Sequence, residues 1–219
     1  MIFISRKLIF LHVQKTGGNS VTKTLLPFSD DEMTLNDYQD AIDRFGIKGV
    51  SPRKHAKLPE YKEILGTDFD DFKVALTVRD PLARAVSLYF SPHKWMVVED
   101  EGWHYQDPYW DIDRFEKLVA HMYSLEDFLT VDGEIRMPDH VMRFRDLQSN
   151  FADLCREYDF PMQDFELPVA NVSAASHNLK KRALSDPRTK ELVDQRFTTD
   201  YKLISEFHLK FAWGQAKAG

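Results

Sequence analysis

Two segments of the chain carry residue types that bind phosphate or sulfate groups, and the first is His12-Val-Gln-Lys-Thr-Gly-Gly-Asn-Ser20. Consecutive glycines let backbone N–H groups approach an anion closely, and a following helix adds the partial positive charge of its N-terminus. Lys15, Thr16 and Ser20 add side-chain donors. Because the lysine precedes the glycines, the segment lacks the Gly-x-x-x-x-Gly-Lys pattern of nucleoside-triphosphate loops. It predicts an anion-binding loop, and a glycine turn with a solvated lysine is the alternative.

The second segment is Arg79-Asp-Pro-Leu-Ala-Arg-Ala-Val-Ser87. An arginine at the end of a strand offers a planar fork of donors that suits phosphate. Ser87 follows about two helical turns later and can reach the same side of such a site. Asp80, near the predicted helix start, interacts favourably with the helix dipole. The alternative is an exposed Arg–Asp pair at a turn.

Each segment follows an apolar run and precedes a stretch with helical character. Residues 7–13 and 72–78 favour strands, and helices are expected over 19–26 and 82–90, with Pro81 at the start of the second. Two strand–loop–helix units indicate an α/β fold with a mostly parallel sheet. Ligands of such sheets bind beyond the carboxyl ends of the strands, so both segments are expected at one edge.

The remaining elements are predicted from shorter patterns. Strands are expected at 46–50 and 140–144; helices at 35–45, 59–65, 112–122, 125–129, 146–158 with Asp146 as N-cap, and 187–207; and loops at 91–113 and 167–182. No internal repeat or linker is evident, so one domain over 1–219 is expected.

Composition limits the class of protein. The chain has 219 residues, 43% hydrophobic and 29% charged, as in ordinary globular domains. Its net charge of −6 disfavours nucleic acid and anionic membranes as partners, so any anion site must be local. No run reaches the roughly 18 apolar residues of a membrane span. The single Cys155 is expected to be structural and fits a reducing, cytoplasmic setting. The sequence makes no prediction of the oligomeric state.

The two anion segments together resemble a known family. The segment 12–20 resembles the 5′-phosphosulfate loop, and Arg79-Asp-Pro-x-x-Arg-x-x-Ser87-x-Tyr89 resembles the 3′-phosphate motif, of sulfotransferases that use 3′-phosphoadenosine-5′-phosphosulfate (PAPS). The Lys-Thr-Gly-Gly form is most similar to the branch of carbohydrate 2-O- and chondroitin-type sulfotransferases and their small bacterial relatives.

The resemblance covers nearly the whole chain. Residues 143–147 resemble the family's strand-end Arg-aromatic-Glu-Asp/Asn-Leu signature, 167–173 its Leu-Pro-x-x-Asn-x-Ser loop and 200–207 its terminal helix. Arg145 stands where that signature usually has Glu, which puts a local carboxylate role in doubt.

The resemblance implies a P-loop-like α/β fold, a central parallel sheet flanked by helices in a single domain, and a role for each loop residue. The residues implied for the 5′-phosphosulfate are Lys15, Thr16, Gly17, Gly18, Asn19 and Ser20, with Lys15 nearest the bridging oxygen. Arg79 and Ser87 are implied for the 3′-phosphate.

A hydroxyl acceptor also needs a base. Lys54 and His55 follow the predicted strand at 46–50 and are therefore expected at the edge that holds both loops. Imidazole titrates near neutrality and can take a hydroxyl proton. Since members of the branch use a histidine or a glutamate in this region, His55 is the first candidate and Glu60 the second. A surface or packing histidine is the alternative.

Other side chains have two possible roles. Ring-bearing residues crowd the predicted loop at 91–113 and are candidates for a substrate pocket or for packing; they are His93, Trp95, Trp103, His104, Tyr105, Tyr109 and Trp110. His12 is expected to be structural because it follows an apolar strand. The basic cluster Lys180-Lys-Arg182 either folds over the nucleotide or forms a solvated helix face.

These observations predict a sulfotransferase that moves a sulfuryl group from PAPS to a hydroxyl on a carbohydrate or another small polar acceptor, with no metal. A magnesium-dependent, P-loop-like small-molecule kinase is the enzymatic alternative, and the lysine-before-glycine order counts against it. The second alternative is a non-catalytic nucleotide-binding module that retains the anion loops.

Overall fold

The computed structural model describes residues 1–35, 45–99, 102–161, 166–168 and 175–211. The strands of these residues are β1 (Ile2–Phe3), β2 (Leu8–Leu11), β3 (Asp31–Thr34), β4 (Gly46–Gly49), β5 (Lys73–Val78), β6 (Met96–Glu99), β7 (Gly102–Tyr105), β8 (Thr130–Val131), β9 (Glu134–Ile135) and β10 (His140–Arg143). Their α-helices are α1 (Gly18–Leu25), α2 (Leu58–Leu65), α3 (Pro81–Tyr89), α4 (Ile112–Ala120), α5 (Leu125–Leu129), α6 (Leu147–Glu157), α7 (His177–Ser185), α8 (Pro187–Arg196) and α9 (Thr198–Lys210). In the described part of the chain, no helix has the length and apolar character needed to cross a bilayer.

Four strands form the central sheet in the order β1, β2, β5, β10. β2, β5 and β10 run parallel, with Phe10 opposite Ala75 and Ala75 opposite His140, while β1 pairs antiparallel with β2. The carboxyl ends of the three parallel strands therefore meet at one edge. The chain leaves that edge at His12, Arg79 and Phe144, so both predicted anion segments start there.

Alternate side chains of β2 enter different cores, as expected for a strand covered on both faces. Leu8 and Phe10 pack with residues of α1 and α6, whereas Ile9 and Leu11 pack with residues of α2, α5 and α9. A third cluster joins α3, α4, α7 and α8 around Trp95. Helices therefore flank both faces of a mostly parallel sheet, which confirms the predicted α/β fold in a single domain.

A buried ion pair connects α3 to α9. Arg84 Nη2 lies 3.0 Å from Asp200 Oδ2, and both side chains are almost completely inaccessible. Arg84 Nη2 also donates to the Tyr123 carbonyl oxygen at 2.9 Å, and the Leu125 N–H donates to Asp200 Oδ1 at 2.8 Å. Burial lowers the pKa of Arg84 and raises the pKa of Asp200, while each charge opposes the shift of the other. The pair fixes the helix that follows Arg79.

The predicted strand at 46–50 forms as β4, but it does not join the central sheet. It pairs antiparallel with β3 in a separate two-stranded ribbon. Two of its four residues are glycine, and Lys48 and Gly49 are exposed. Such a strand does not suit a parallel sheet buried on both faces. The expected route by which β4 delivers Lys54 and His55 to the sheet edge is therefore wrong.

Two predicted loops contain regular structure. The segment 91–113 includes the antiparallel hairpin of β6 and β7, with Met96 opposite Tyr105. The segment predicted as loop up to residue 182 includes the start of α7, where the Leu179 N–H donates to the Ser176 side-chain oxygen at 3.3 Å.

Two helix predictions need correction. The predicted helix at 187–207 is interrupted at Phe197 and forms α8 and α9. Asp146 occupies the N-cap position of α6, as predicted, but its side chain makes no capping hydrogen bond, and its carboxylate lies 2.5 Å from Arg143 Nη2 instead. The helix predicted at 35–45 falls, apart from its two end residues, outside the described residues.

Candidate functional site

A cavity of about 1030 Å³ opens at the carboxyl edge of the sheet. Its lining includes six basic side chains, and none of the described residues that line it is Asp or Glu. These basic residues are Lys15, Arg53, Lys54, Arg79, Lys94 and Lys117. A chain with a net charge of −6 thus concentrates positive charge in one place, and the cavity suits an anion.

The loop after β2 has a backbone that its glycines make possible. Gly17 adopts φ 92°, and a Cβ at this position would lie 2.5 Å from Leu147 Cδ2. Lys15 also adopts a left-handed conformation, with φ 64°, which is uncommon for a residue with a side chain and concentrates at functional sites. α1 starts at Gly18, so its first N–H groups and its positive dipole end belong to the cavity wall.

Thr16 holds this loop to the neighbouring strand. Its hydroxyl donates to the Val13 carbonyl oxygen at 2.8 Å and is hydrogen-bonded to the hydroxyl of Thr77, in β5, at 2.5 Å. The side chain is fully buried and is not part of the cavity lining. Thr16 therefore holds the shape of the loop and does not itself reach the cavity, whereas Gly17, Gly18, Asn19 and Ser20 all line it.

Lys15 and Arg79 come together although 64 residues separate them. Arg79 Nη1 donates to the Lys15 carbonyl oxygen at 3.3 Å, and its guanidinium lies 4.2 Å from the Phe144 ring centroid. Lys15 Nζ donates to Ser91 Oγ at 3.0 Å. Burial, reinforced by the charge of Arg79, lowers the pKa of Lys15 to about 8. Burial also lowers the pKa of Arg79, against the opposing charge of Asp80. Burial removes water from both cations, so an anion bound in the cavity would stabilise their charged forms.

Ser87 lies on α3 and lines the same cavity as Arg79. The Asp80 carboxylate caps this helix, accepting from the Ala83 N–H at 2.8 Å. Asp80 therefore fixes the helix start, and the second segment contributes Arg79 and Ser87 to one site.

His55 reaches the cavity by a contact with the first segment. Its Nδ1 lies 2.8 Å from the His12 carbonyl oxygen. Because a carbonyl only accepts, Nδ1 carries the proton, and the basic lone pair of the neutral ring is on Nε2. The two imidazole rings meet edge to face, with centroids 4.7 Å apart. His55 thus has the tautomer that a general base needs.

Glu60 has a different environment. Its two carboxylate oxygens accept from Arg53 Nε at 2.8 Å and Nη2 at 2.9 Å, and it also accepts from the Lys57 N–H at 2.9 Å. The Arg53 hydrogen bonds lower the pKa of Glu60 despite partial burial. Glu60 caps α2 and is not part of the cavity lining. The geometry therefore favours His55 over Glu60 as base.

Only His93 among the seven ring-bearing residues of the segment 91–113 lines the cavity. Trp95 is buried, with its indole N–H donating to the Tyr89 carbonyl oxygen at 2.8 Å. Trp103, Tyr105 and Tyr109 are exposed. Trp95 therefore has a packing role. The seven ring-bearing residues do not together form a substrate pocket.

Several residues that line the cavity were missed by the sequence analysis. They are Ser91, Lys94, Lys117, His121 and Tyr123, together with Phe144 of the strand-end signature. Ser91 lies one helical turn beyond Ser87, and this spacing alone points to it. Lys117 and His121 come from α4 and its C-terminal end, and the packing of α4 against α3 is a tertiary contact that no sequence spacing indicates.

Other candidates lie elsewhere. Lys180, Lys181 and Arg182 lie on α7 and do not line the cavity. Asn171 and Ser173 lie outside the described residues. Within the described residues, no cluster of three or more His, Cys, Asp or Glu side chains is placed to hold a metal ion. Cys155 is buried, and burial raises the pKa of its thiol to about 12, so the expected structural role fits.

Comparison with known protein families gives a match over most of the chain. A family model described as "Sulfotransferase family" matches residues 1–205, which include every residue that lines the cavity. No curated protein and no solved structure matches the chain.

Proposed function

The chain belongs to the sulfotransferase family, and we propose that it moves a sulfuryl group from PAPS to a hydroxyl on a carbohydrate or another small polar acceptor. One observation carries the proposal: Lys15 and Arg79 meet in a single cavity whose described lining contains no carboxylate. A donor with anionic groups at two positions of one nucleoside needs two such cations on neighbouring loops. The Lys15-Thr-Gly-Gly18 form supports the carbohydrate 2-O- and chondroitin-type branch.

The described residues fit this donor. The backbone of residues 17–20 and the side chains of Lys15, Asn19 and Ser20 would hold its 5′-phosphosulfate, as an anion at a helix N-terminus. Arg79 and Ser87 would hold its 3′-phosphate. When bound, the donor supplies a sulfuryl group attached to a phosphate through a bridging oxygen.

His55 and Lys15 have different roles in the transfer. The acceptor oxygen forms a bond to sulfur as the bond from sulfur to the bridging oxygen breaks. His55 Nε2 takes the acceptor proton, and its Nδ1–H bond to the His12 carbonyl holds the ring in place. Lys15, protonated below pH 8, stabilises the negative charge left on the departing phosphate. Positioning and charge stabilisation account for most of the catalysis, as in phosphoryl transfer.

A thermal-unfolding comparison tests the choice of nucleotide. At about one hundred times its dissociation constant, 3′,5′-diphosphoadenosine is expected to stabilise the protein by about 2.7 kcal/mol. For a chain of this size that is a rise of about 5–10 °C in the melting temperature. ATP with magnesium is the matched comparison and should give a much smaller rise. A larger effect of ATP with magnesium would instead support the kinase alternative.

A mass-spectrometric assay tests turnover and finds the acceptor. The enzyme is incubated with PAPS and a panel of glycans, phenols and small alcohols, and products are searched for the mass gain of one sulfuryl group. A gain that disappears in the Lys15→Ala variant supports transfer. Nucleotide binding without any product across the panel would support the non-catalytic module.

A further inference from the structure

His12 lies at the cavity edge although its side chain is almost fully buried, with 4% exposed. Its ring sits against α1 at two points. Nδ1 lies 3.0 Å from Thr22 Oγ1, and a Cβ at Gly18 would lie 2.6 Å from Nε2. The absence of a side chain at Gly18 therefore lets the Nε2 edge of the ring approach the first residue of the helix.

The surroundings of His12 keep the ring neutral. The titratable groups that act on it are His55, Lys54, Lys15 and the Met1 amino group, and all of them are bases. Burial is the main cause that holds the pKa of His12 well below its ordinary value, and these neighbouring bases lower the pKa further. A neutral imidazole carries one N–H, and its position depends on the partner of the other nitrogen. Here that partner is the Thr22 hydroxyl, which can donate to Nδ1.

We propose that His12 is a binding residue for the donor's 5′-phosphosulfate, with Nε2–H donating to the anion at the N-terminus of α1. Thr22 donates to Nδ1 and thereby fixes the proton on Nε2. Unlike Lys15, a neutral imidazole adds a directed donor to the site without adding another desolvated charge. This inference rests on the proposed function, because the anion is that of the donor.

Calorimetric titration with 3′,5′-diphosphoadenosine tests the hydrogen bond. His12→Phe fills a similar volume without a donor, and the loss of one hydrogen bond to a charged group should weaken binding by about tenfold to one hundredfold. His12→Gln keeps an N–H near the Nε2 position and should bind within about fivefold of the wild type. Thr22→Val should weaken binding severalfold, whereas Thr22→Ser, which retains the hydroxyl, should match the wild type.

Nitrogen-15 NMR spectra of the wild type distinguish a binding role of His12 from a purely structural one. The Nδ1 and Nε2 shifts of His12 report which nitrogen carries the proton. We expect the Nε2–H form, with its proton signal moving downfield as 3′,5′-diphosphoadenosine is added. This measurement stays decisive even where a His12 variant fails to fold.

The possible results separate the two proposals. If the wild type does not bind 3′,5′-diphosphoadenosine, the proposed donor is wrong and this inference falls with it. If the wild type binds it, but a folded His12→Phe variant binds equally tightly or the proton is on Nδ1 in the complex, only the role of His12 is overturned.

Discussion

Lys15 is the residue whose ionisation has the clearest consequence for the site. Its pKa of about 8 lies within reach of physiological pH, because burial and the neighbouring Arg79 disfavour the ammonium form. A bound anion stabilises that form, so the protein takes up a proton on binding once the pH exceeds about 8. Affinity is therefore full below this pKa and decreases above it.

The affinity for 3′,5′-diphosphoadenosine should fall as the pH rises from 7 to 9.5, by up to tenfold per pH unit above about 8. Both ligand phosphates are already ionised in this range. Titration calorimetry at several pH values measures the effect, and Lys15→Arg is the control because a guanidinium keeps its charge. An affinity of the wild type that does not change with pH would contradict the assignment of Lys15.

His55 and Glu60 can be distinguished by matched variants. His55→Asn keeps a donor near the His12 carbonyl but lacks a base, so kcat should fall about 10²–10⁴-fold with little change in diphosphoadenosine affinity. Glu60→Gln should leave kcat nearly unchanged and lower stability by less than about 1 kcal/mol, because Gln keeps an acceptor for the Lys57 N–H and only the charge of the partly exposed pair with Arg53 is lost. Sulfuryl-transfer assays measure the kcat of both variants. A larger loss of kcat for Glu60→Gln than for His55→Asn would reverse the assignment.

Gly18 is needed for its lack of a side chain and not for an unusual backbone. A Cβ there would lie 2.5 Å from His12 Cδ2, so Gly18→Ala should lower the free energy of unfolding by about 1–3 kcal/mol and weaken nucleotide binding. Gly133→Ala is the control. Gly133 has open space around it and φ 86°, so this variant should lose about 1–2 kcal/mol of unfolding free energy and bind the nucleotide normally. Urea denaturation and calorimetry provide the two readouts. Normal binding by Gly18→Ala would show that the ring can move aside.

At the scale of elements, α3 connects the cavity to the core. One helix carries the Asp80 cap, Ser87 in the cavity wall and Arg84 in the buried pair with Asp200. The buried pair therefore ties α9 to the helix that holds part of the proposed 3′-phosphate site.

Asp200→Asn should cost about 3–5 kcal/mol of stability, because it leaves the Arg84 charge buried without its partner. Replacing both residues, as Arg84→Met with Asp200→Leu, should restore most of that loss. Breaking the exposed Arg156–Asp153 pair with Asp153→Asn is the control and should cost less than about 1 kcal/mol. Urea denaturation measures all three. An Asp200→Asn protein as stable as the wild type would contradict the importance of the buried pair.

Local sequence signals predicted some of the elements and site residues, whereas tertiary packing determined others. Apolar runs followed by glycine or Arg-Asp-Pro identify β2 and β5 and their loops, since these signals are local. His55 lines the cavity, but the predicted route through a parallel β4 is wrong: a hydrogen bond to the His12 carbonyl brings it there. Lys117 enters the wall through packing of α4 against α3, which no spacing in the sequence indicates.

On the scale of the whole molecule, the chain separates its charges. Acidic residues exceed basic ones by six overall, yet the described lining of the cavity at the sheet edge is free of carboxylates. The surplus of negative charge disfavours polyanions elsewhere on the surface, while the cavity attracts a small anion at short range. This distribution supports the proposed binding of a multiply charged nucleotide.

The most direct test of the account is a crystal structure of the protein with 3′,5′-diphosphoadenosine. We expect one nucleotide in the cavity, with its 5′-phosphate at Lys15 and the N-terminus of α1 and its 3′-phosphate at Arg79 and Ser87. A nucleotide bound elsewhere, or one whose phosphates reach only one of the two loops, would contradict the central claim that both loops hold opposite ends of one donor.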